Sequence, residues 1–235
     1  MKPDSPSRLL RRAAAFFQVA TLAAGALALT VEAADDRVKV DNDHARVLVV
    51  SSPPGAKSEL HEHKMNRVMI YLDPGKMTLT DTAGAVETLD FKAGEVLWSA
   101  VTTRPHVSFN VADHSVRIVE VELKSKPDGA KAANPPDLDW VRLDPKHCKV
   151  EIDNEQVRVV RARYGPHEKG VLHEHAWSYV VVFLTDCRLK VTSADGQSGT
   201  AIKVPGDVTA GRPSKHVEEN LSDKPLEVMV VEFKK

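Results

Sequence analysis

Six of the ten histidines in this 235-residue chain fall into a pattern that can hold a metal ion. His61-Glu62-His63 and His173-Glu174-His175 each place two imidazoles two residues apart. On an extended strand, residues i and i+2 share a face, so each pair forms one chelating edge while the intervening glutamate points the other way. His106 and His216 lie further along, each beyond a Gly-acidic-Val turn at Gly94-Glu95-Val96 and Gly206-Asp207-Val208. If strand pairing carries them to the paired histidines, two sets of three nitrogen ligands result, and such sets leave coordination positions open for water or substrate. A lone His-x-His commonly sits on a solvated strand face. Its recurrence with a third histidine is what gives the pattern weight.

The recurrence extends beyond the histidines. At an offset of 112, Asp41-Asn42 returns as Asp153-Asn154, Leu60-His61-Glu62-His63 as Leu172-His173-Glu174-His175, and Gly84 as Gly196; between 41 and 96, 17 of 56 ungapped positions are identical. After a two-residue deletion the offset becomes 110, and His106-Val107 with Asn110 returns as His216-Val217 with Asn220. A repeat of this size fixes the architecture before any secondary structure is assigned. Two units are expected, 38–124 and 148–235, joined by a linker at 125–147 whose Pro135-Pro136 opposes both helix and ladder pairing. A free linker has little use for a tryptophan, so Trp140 and Leu143 are expected to pack onto one unit.

Short Val/Ile/Thr-rich runs carry the units. Residues 46–50, 68–72, 76–80 and 116–121 read as strands, as do 157–161, 179–184, 189–192 and 226–233, with turns at Asp73-Pro74-Gly75, Ala83-Gly84 and Ala194-Asp195-Gly196. Neither unit contains a sustained helical period. The fold class expected is all-β, with one small barrel or sandwich per unit.

Composition narrows the function classes. Lys plus Arg total 32 against 33 acids, a net −1, so no basic field points to nucleic acid. Arg8, Arg11 and Arg12 precede an uncharged run from Ala13 to Val31, with a small-residue site ending at Ala33. That is the layout of a cleaved signal segment over 1–33, with an uncleaved anchor as its competitor. Cleavage removes four basic and two acidic residues, leaving 28 against 31 and a net −3. The expected mature protein is mildly acidic, periplasmic or secreted, and free of the membrane. Export would permit a disulfide between Cys148 and Cys187, although a buried free pair fits equally.

These residues resemble the cupin superfamily, and the two-unit layout resembles a bicupin. The similarity covers nearly all of the mature chain. The first motif of the family, a glycine leading to His-x-His, resembles Gly55 through His63 and Gly170 through His175. The second, a histidine followed by three residues and an asparagine, resembles His106 to Asn110 and His216 to Asn220. The resemblance implies two tandem double-stranded β-helix barrels, each with a metal pocket at its mouth. His61, His63 and His106 are then the ligands of the first barrel, and His173, His175 and His216 those of the second.

The chain departs from the family where its glutamate ligand should stand. Arg67 or Val68 occupies that place in the first unit, and Tyr179 or Val180 in the second. Neutral three-histidine sites are therefore expected. A fixed cation at Arg67 disfavours a dication beside it, which makes the second unit the better metal site. Arg67 could instead clamp a carboxylate, against the plainer reading of a salt-bridged surface arginine. Glu122 and Glu232, flanking Val121 and Val231 in the last strands, are expected to face outward. His44, His114, His147 and His167 have no repeated partner and read as surface residues.

Two function classes stay open. One is an exported metal-dependent enzyme acting on a small polar molecule, dioxygenase-like or lyase-like, with Tyr179 as a proton donor and a divalent ion (Zn, Fe, Cu, Mn or Ni) as Lewis acid or oxygen activator. The other is a non-enzymatic ligand-binding module with degenerate metal sites. Edge-strand association into a homodimer is compatible with either.

Overall fold

The computed structural model describes residues 37–125 and 137–234, so the expected signal segment and the middle of the linker lie outside the described residues. The first half contains nine strands: β1 (Arg37–Asp41), β2 (Ala45–Ser52), β3 (His61–His63), β4 (Arg67–Tyr71), β5 (Gly75–Asp81), β6 (Val86–Phe91), β7 (Val96–Ser99), β8 (Thr102–Asn110) and β9 (Val116–Leu123). A four-residue helix, α1 (Trp140–Leu143), follows. The second half contains β10 (Cys148–Asp153), β11 (Val157–Tyr164), β12 (His173–His175), β13 (Tyr179–Phe183), β14 (Cys187–Ser193), β15 (Ser198–Lys203), β16 (Val208–Gly211), β17 (Ser214–Asn220) and β18 (Leu226–Phe233).

Each half folds its strands into two antiparallel sheets. The orders β1-β2-β9-β4-β7 and β3-β8-β5-β6 recur nine strands later as β10-β11-β18-β13-β16 and β12-β17-β14-β15. The asparagine that follows each third histidine pins this arrangement. Asn110 Nδ2 donates to the carbonyls of Ser52 (2.8 Å), Pro53 (3.0 Å) and His114 (3.0 Å), and Asn220 Nδ2 to those of Gly165 (2.9 Å) and Lys224 (2.8 Å). Both asparagines are fully buried. Buried amides with satisfied donors fix loop positions, and that accounts for their recurrence without any role at a metal.

The two halves share one apolar core. Val47, Val68, Ile70, Val119 and Val121 of the first pack with Val157, Val159, Val180, Val182, Met229 and Val231 of the second. Each such side chain contributes about 1.5–3 kcal/mol when removed from water. This packing decides which way the alternating residues face. Because Val121 and Val231 lie between the halves, their neighbours Glu122 and Glu232 turn into the barrels. The outward orientation expected from sequence is therefore reversed, and Glu232 is fully buried.

The interiors differ. Barrel 2 is filled by Trp140, Val160, Tyr164, Phe183, Leu226, Val228 and Val230. Barrel 1 has a smaller plug of Tyr71, Met77, Phe91, Val116 and Ile118 at one end. Above it opens a cavity of about 1170 Å³. Cys148 and Cys187 are both buried and free.

Candidate metal centre

In barrel 2 the strand register does the assembly. His173 on β12 lies directly opposite His216 on β17, and residues so paired carry their side chains on one face. The three imidazole centroids of His173, His175 and His216 stand 4.8 to 5.1 Å apart. His173 Nδ1 faces the Val171 carbonyl at 2.9 Å, and His175 Nδ1 faces Glu232 Oε1 at 2.8 Å. An Nδ1–H engaged in this way leaves each Nε2 as the free lone pair. Those two Nε2 atoms are 3.2 Å apart. Two nitrogens about 2.1 Å from one ion, at roughly 100° to each other, are separated by about that distance.

A carboxylate completes the group. Glu218, two residues after His216 and hence on the same face of β17, places Oε1 2.7 Å from His216 Nε2 and 3.6 Å from His173 Nε2. Its Oε2 is buried without a hydrogen-bond partner. An orphaned buried carboxylate oxygen among three imidazoles is a donor set that a divalent cation satisfies. Burial alone would raise the Glu218 carboxyl, but the His216 hydrogen bond and the charge of His173 and His175 more than offset it and hold it below its ordinary value. Burial also pushes the His173 pKa below its ordinary value, which favours the neutral imidazole. The three histidines expected from sequence are thus brought together, and a carboxylate from β17 that the sequence reading did not include stands among them. Sequence reasoning missed Glu218, although its i+2 spacing from His216 was the available signal.

Around this group the linker closes the barrel. The Trp140 indole stacks on His173 at 5.7 Å and tilts over His175 at 5.0 Å, and its Nε1–H donates to Glu232 Oε1 at 3.2 Å. Asp139, the N-cap of α1, pairs with Arg158 at 2.7 Å, and Arg158 Nε reaches Glu232 Oε2 at 2.6 Å. His173 and His175 are 1% and 2% exposed as a result. Tyr179 stacks on His175 at 4.2 Å, with its hydroxyl hydrogen-bonded to Ser214 and its pKa raised by burial.

Barrel 1 gathers His61, His63 and His106 with centroids 4.6 to 5.2 Å apart. Here His61 lies opposite His106, but the ladder slips so that His63 meets Thr102. The slip sits beside Pro105, which has no N–H to give to the ladder. Ser108 holds the place of Glu218. Arg67 is buried, its Nη1 2.7 Å from Glu120 Oε2 and its Nη2 3.0 Å from Ser99 Oγ. It is salt-bridged as the plainer reading expected, though inside the barrel and not on the surface. Burial first, then Arg67 and the neighbouring imidazoles, lower the His63 pKa to about 3. Glu120 and Glu122 also come within reach of His63.

No family model matches the sequence, and no curated protein matches it. Solved structures do. A cupin domain from Bordetella pertussis Tohama I is 30% identical over 37% of this chain and 92% of that one, with a TM-score of 0.36. A cupin 2 conserved barrel domain protein from Leptotrichia buccalis is 11% identical, with a TM-score of 0.50 over 83% of this chain and 86% of that one. The oxalate decarboxylase of Bacillus subtilis, 15% identical, aligns over 86% of this chain and 75% of its own with a TM-score of 0.55. The chain belongs to the cupin superfamily and has the bicupin arrangement.

Of the remaining histidines in this bicupin, His114 and His167 are exposed as expected. His147 is not a surface residue. Its ring stacks on Tyr164 at 4.6 Å and bridges Asp144 (2.7 Å) and Glu168 (3.0 Å), which anchors the end of the linker. His44 is half-buried and stacks on Phe233 at 5.7 Å. Trp140 packs on barrel 2 as expected, whereas Leu143 is 40% exposed.

Proposed function

We propose that this bicupin is an exported metal-binding protein whose second barrel holds one divalent ion on His173, His175, His216 and Glu218. The observation that carries this reading is the convergence of two oriented Nε2 atoms 3.2 Å apart with a buried, partnerless carboxylate oxygen. Three nitrogens and one carboxylate oxygen suit manganese, iron or zinc, and the Mn(II) centres of the B. subtilis oxalate decarboxylase support keeping manganese among them. His61, His63 and His106 form a second, more accessible set of ligands in barrel 1.

We infer further that the protein is a metal-dependent enzyme acting on a small molecule. A bound divalent ion supplies Lewis acidity to an oxygen placed on it. Within the chain, Glu232 orients His175, and Arg158 with Trp140 holds Glu232. Tyr179, stacked on His175 at 4.2 Å, is the group assigned here to give a proton. The rival reading, a ligand-binding module without turnover, draws on the burial of Arg67 beside the barrel 1 histidines, where its charge opposes a dication.

Metal analysis of the purified protein tests the reading. Near-stoichiometric metal that is lost in H173A/H175A supports it. A protein free of metal after reconstitution with zinc, iron, copper, manganese and nickel leaves the binding-module reading.

A further inference from the structure

In barrel 2 the Trp140 indole rests on a bed of repeated positions. It stacks on His173 at 5.7 Å, tilts over His175 at 5.0 Å and donates Nε1–H to Glu232 Oε1 at 3.2 Å. Val160 and Val228 belong to the same apolar cluster as the indole. Each of these five residues has a counterpart in the first half. Leu48, His61 and His63 align with Val160, His173 and His175 at the offset of 112, and Ile118 and Glu122 with Val228 and Glu232 at 110. All five counterparts line the barrel 1 cavity of about 1170 Å³. The two beds also match in shape. The ring centroids of His61 and His63 stand 4.8 Å apart at 86°, and those of His173 and His175 5.0 Å apart at 76°.

What barrel 1 lacks is the indole. Among the described residues, the rings of His61 and His63 pair only with each other and with His106. Glu232 accepts from His175, Trp140 and Arg158, whereas the Glu122 side chain, 14% exposed, accepts among the described residues only from Arg46, at 3.4 Å. A bond of that length is weak, and a carboxylate withdrawn from water with so few donors is costly until another arrives. Six carboxylates and four Lys or Arg side chains line the cavity, so a neutral or cationic donor suits it and an anion does not. We propose that barrel 1 binds a flat aromatic molecule bearing an N–H donor, which takes the place that Trp140 takes in barrel 2. Its ring lies against His61 and His63, its N–H on Glu122 and its apolar edge along Leu48 and Ile118. Ring stacking adds to the area buried, and the remaining volume admits substituents on the ring. Barrel 2 carries this group on its own chain; barrel 1 takes it from solution. The bed consists of ring faces, one carboxylate and apolar side chains, so the inference needs no ion on either histidine set.

Calorimetric titration of the full protein with indole and with benzofuran, which has the same shape but an oxygen in place of the N–H, tests the proposal. Indole is expected to bind at one site per chain and roughly tenfold more tightly than benzofuran, the difference that a hydrogen bond to a charged acceptor makes. E122Q keeps an acceptor and loses the charge. It is expected to bind indole about tenfold more weakly and benzofuran as the wild type does, a split that a general loss of structure does not produce. Ring-current shifts of the His61 and His63 imidazole protons on adding indole, read by proton NMR, place the ligand. Should E122Q fail to fold, the two ligands and the shifts in the wild-type protein still decide. An absence of indole binding, benzofuran bound as tightly as indole, or binding that leaves the His61 and His63 protons unshifted overturns the proposal, and none of these results touches the metal reading of barrel 2.

Discussion

Glu232 accepts hydrogen bonds from His175 Nδ1 at 2.8 Å and from the Trp140 indole at 3.2 Å on the same oxygen, while Arg158 holds its other oxygen at 2.6 Å. One buried carboxylate thereby links the candidate ligand, the linker helix and the barrel wall. Burial alone would raise its pKa, but His175 and Arg158 together hold it below the ordinary carboxylate value.

Replacing Glu232 with glutamine removes the anion that orients His175. Metal affinity is expected to fall about 10- to 100-fold, the usual effect of losing a partner that orients a ligand. Competition against a chelator of known affinity measures it. An unchanged affinity assigns Glu232 to structure alone.

Trp140 covers the histidines, so W140A is expected to lose about 3–5 kcal/mol of stability and to release metal faster to a chelator. W140F keeps most of the packing and loses the indole N–H together with part of the ring. Its metal release is expected to fall between wild type and W140A, and stopped-flow chelation follows all three.

The metal-free protein should weaken with acid in a defined window. The folded pKa of His63 is lowered from 6.5 to about 3 by burial, Arg67 and the other imidazoles. Between those values the unfolded chain binds a proton that the folded chain does not, so stability falls as pH drops below 6.5 and is unaffected above it. Thermal melts from pH 8 to 4 should show this decline, and H63N should lessen it without abolishing it, because burial lowers His106 and His173 as well. A profile identical in H63N removes His63 as its source.

Burial raises the thiol pKa of Cys187 to about 11 and pushes that of Cys148 higher. Neither is expected to react with iodoacetamide in the native protein at pH 8, and both should react after denaturation without reduction, because the pair is free. Mass spectrometry counts the adducts. Two thiols that react only after reduction indicate a disulfide instead.

Much of this architecture was legible in the sequence, because the repeated His-x-His and the later histidine are local spacings and strand pairing had only to bring them together. What failed was phase. In a strand buried on both faces, valines do not say which face is the barrel interior, and Val121 and Val231 turned out to lie between the barrels. That single inversion hid Glu122 and Glu232. Glu218 was hidden differently, since the carboxylate was sought after the His-x-His pair, where the family has it, and not two residues past His216. The pairing of Asp139 with Arg158 and of Trp140 with Glu232 joins residues 19 and 92 positions apart, and no local pattern encodes such contacts.

Four side chains of barrel 2 are proposed to hold one ion. Anomalous diffraction at the manganese edge, from crystals of the manganese-loaded protein, tests it most directly. A peak is expected about 2.0–2.3 Å from the Nε2 atoms of His173, His175 and His216 and from a Glu218 carboxylate oxygen. A manganese peak away from these atoms, or none in a protein that refuses the other divalent ions too, contradicts it.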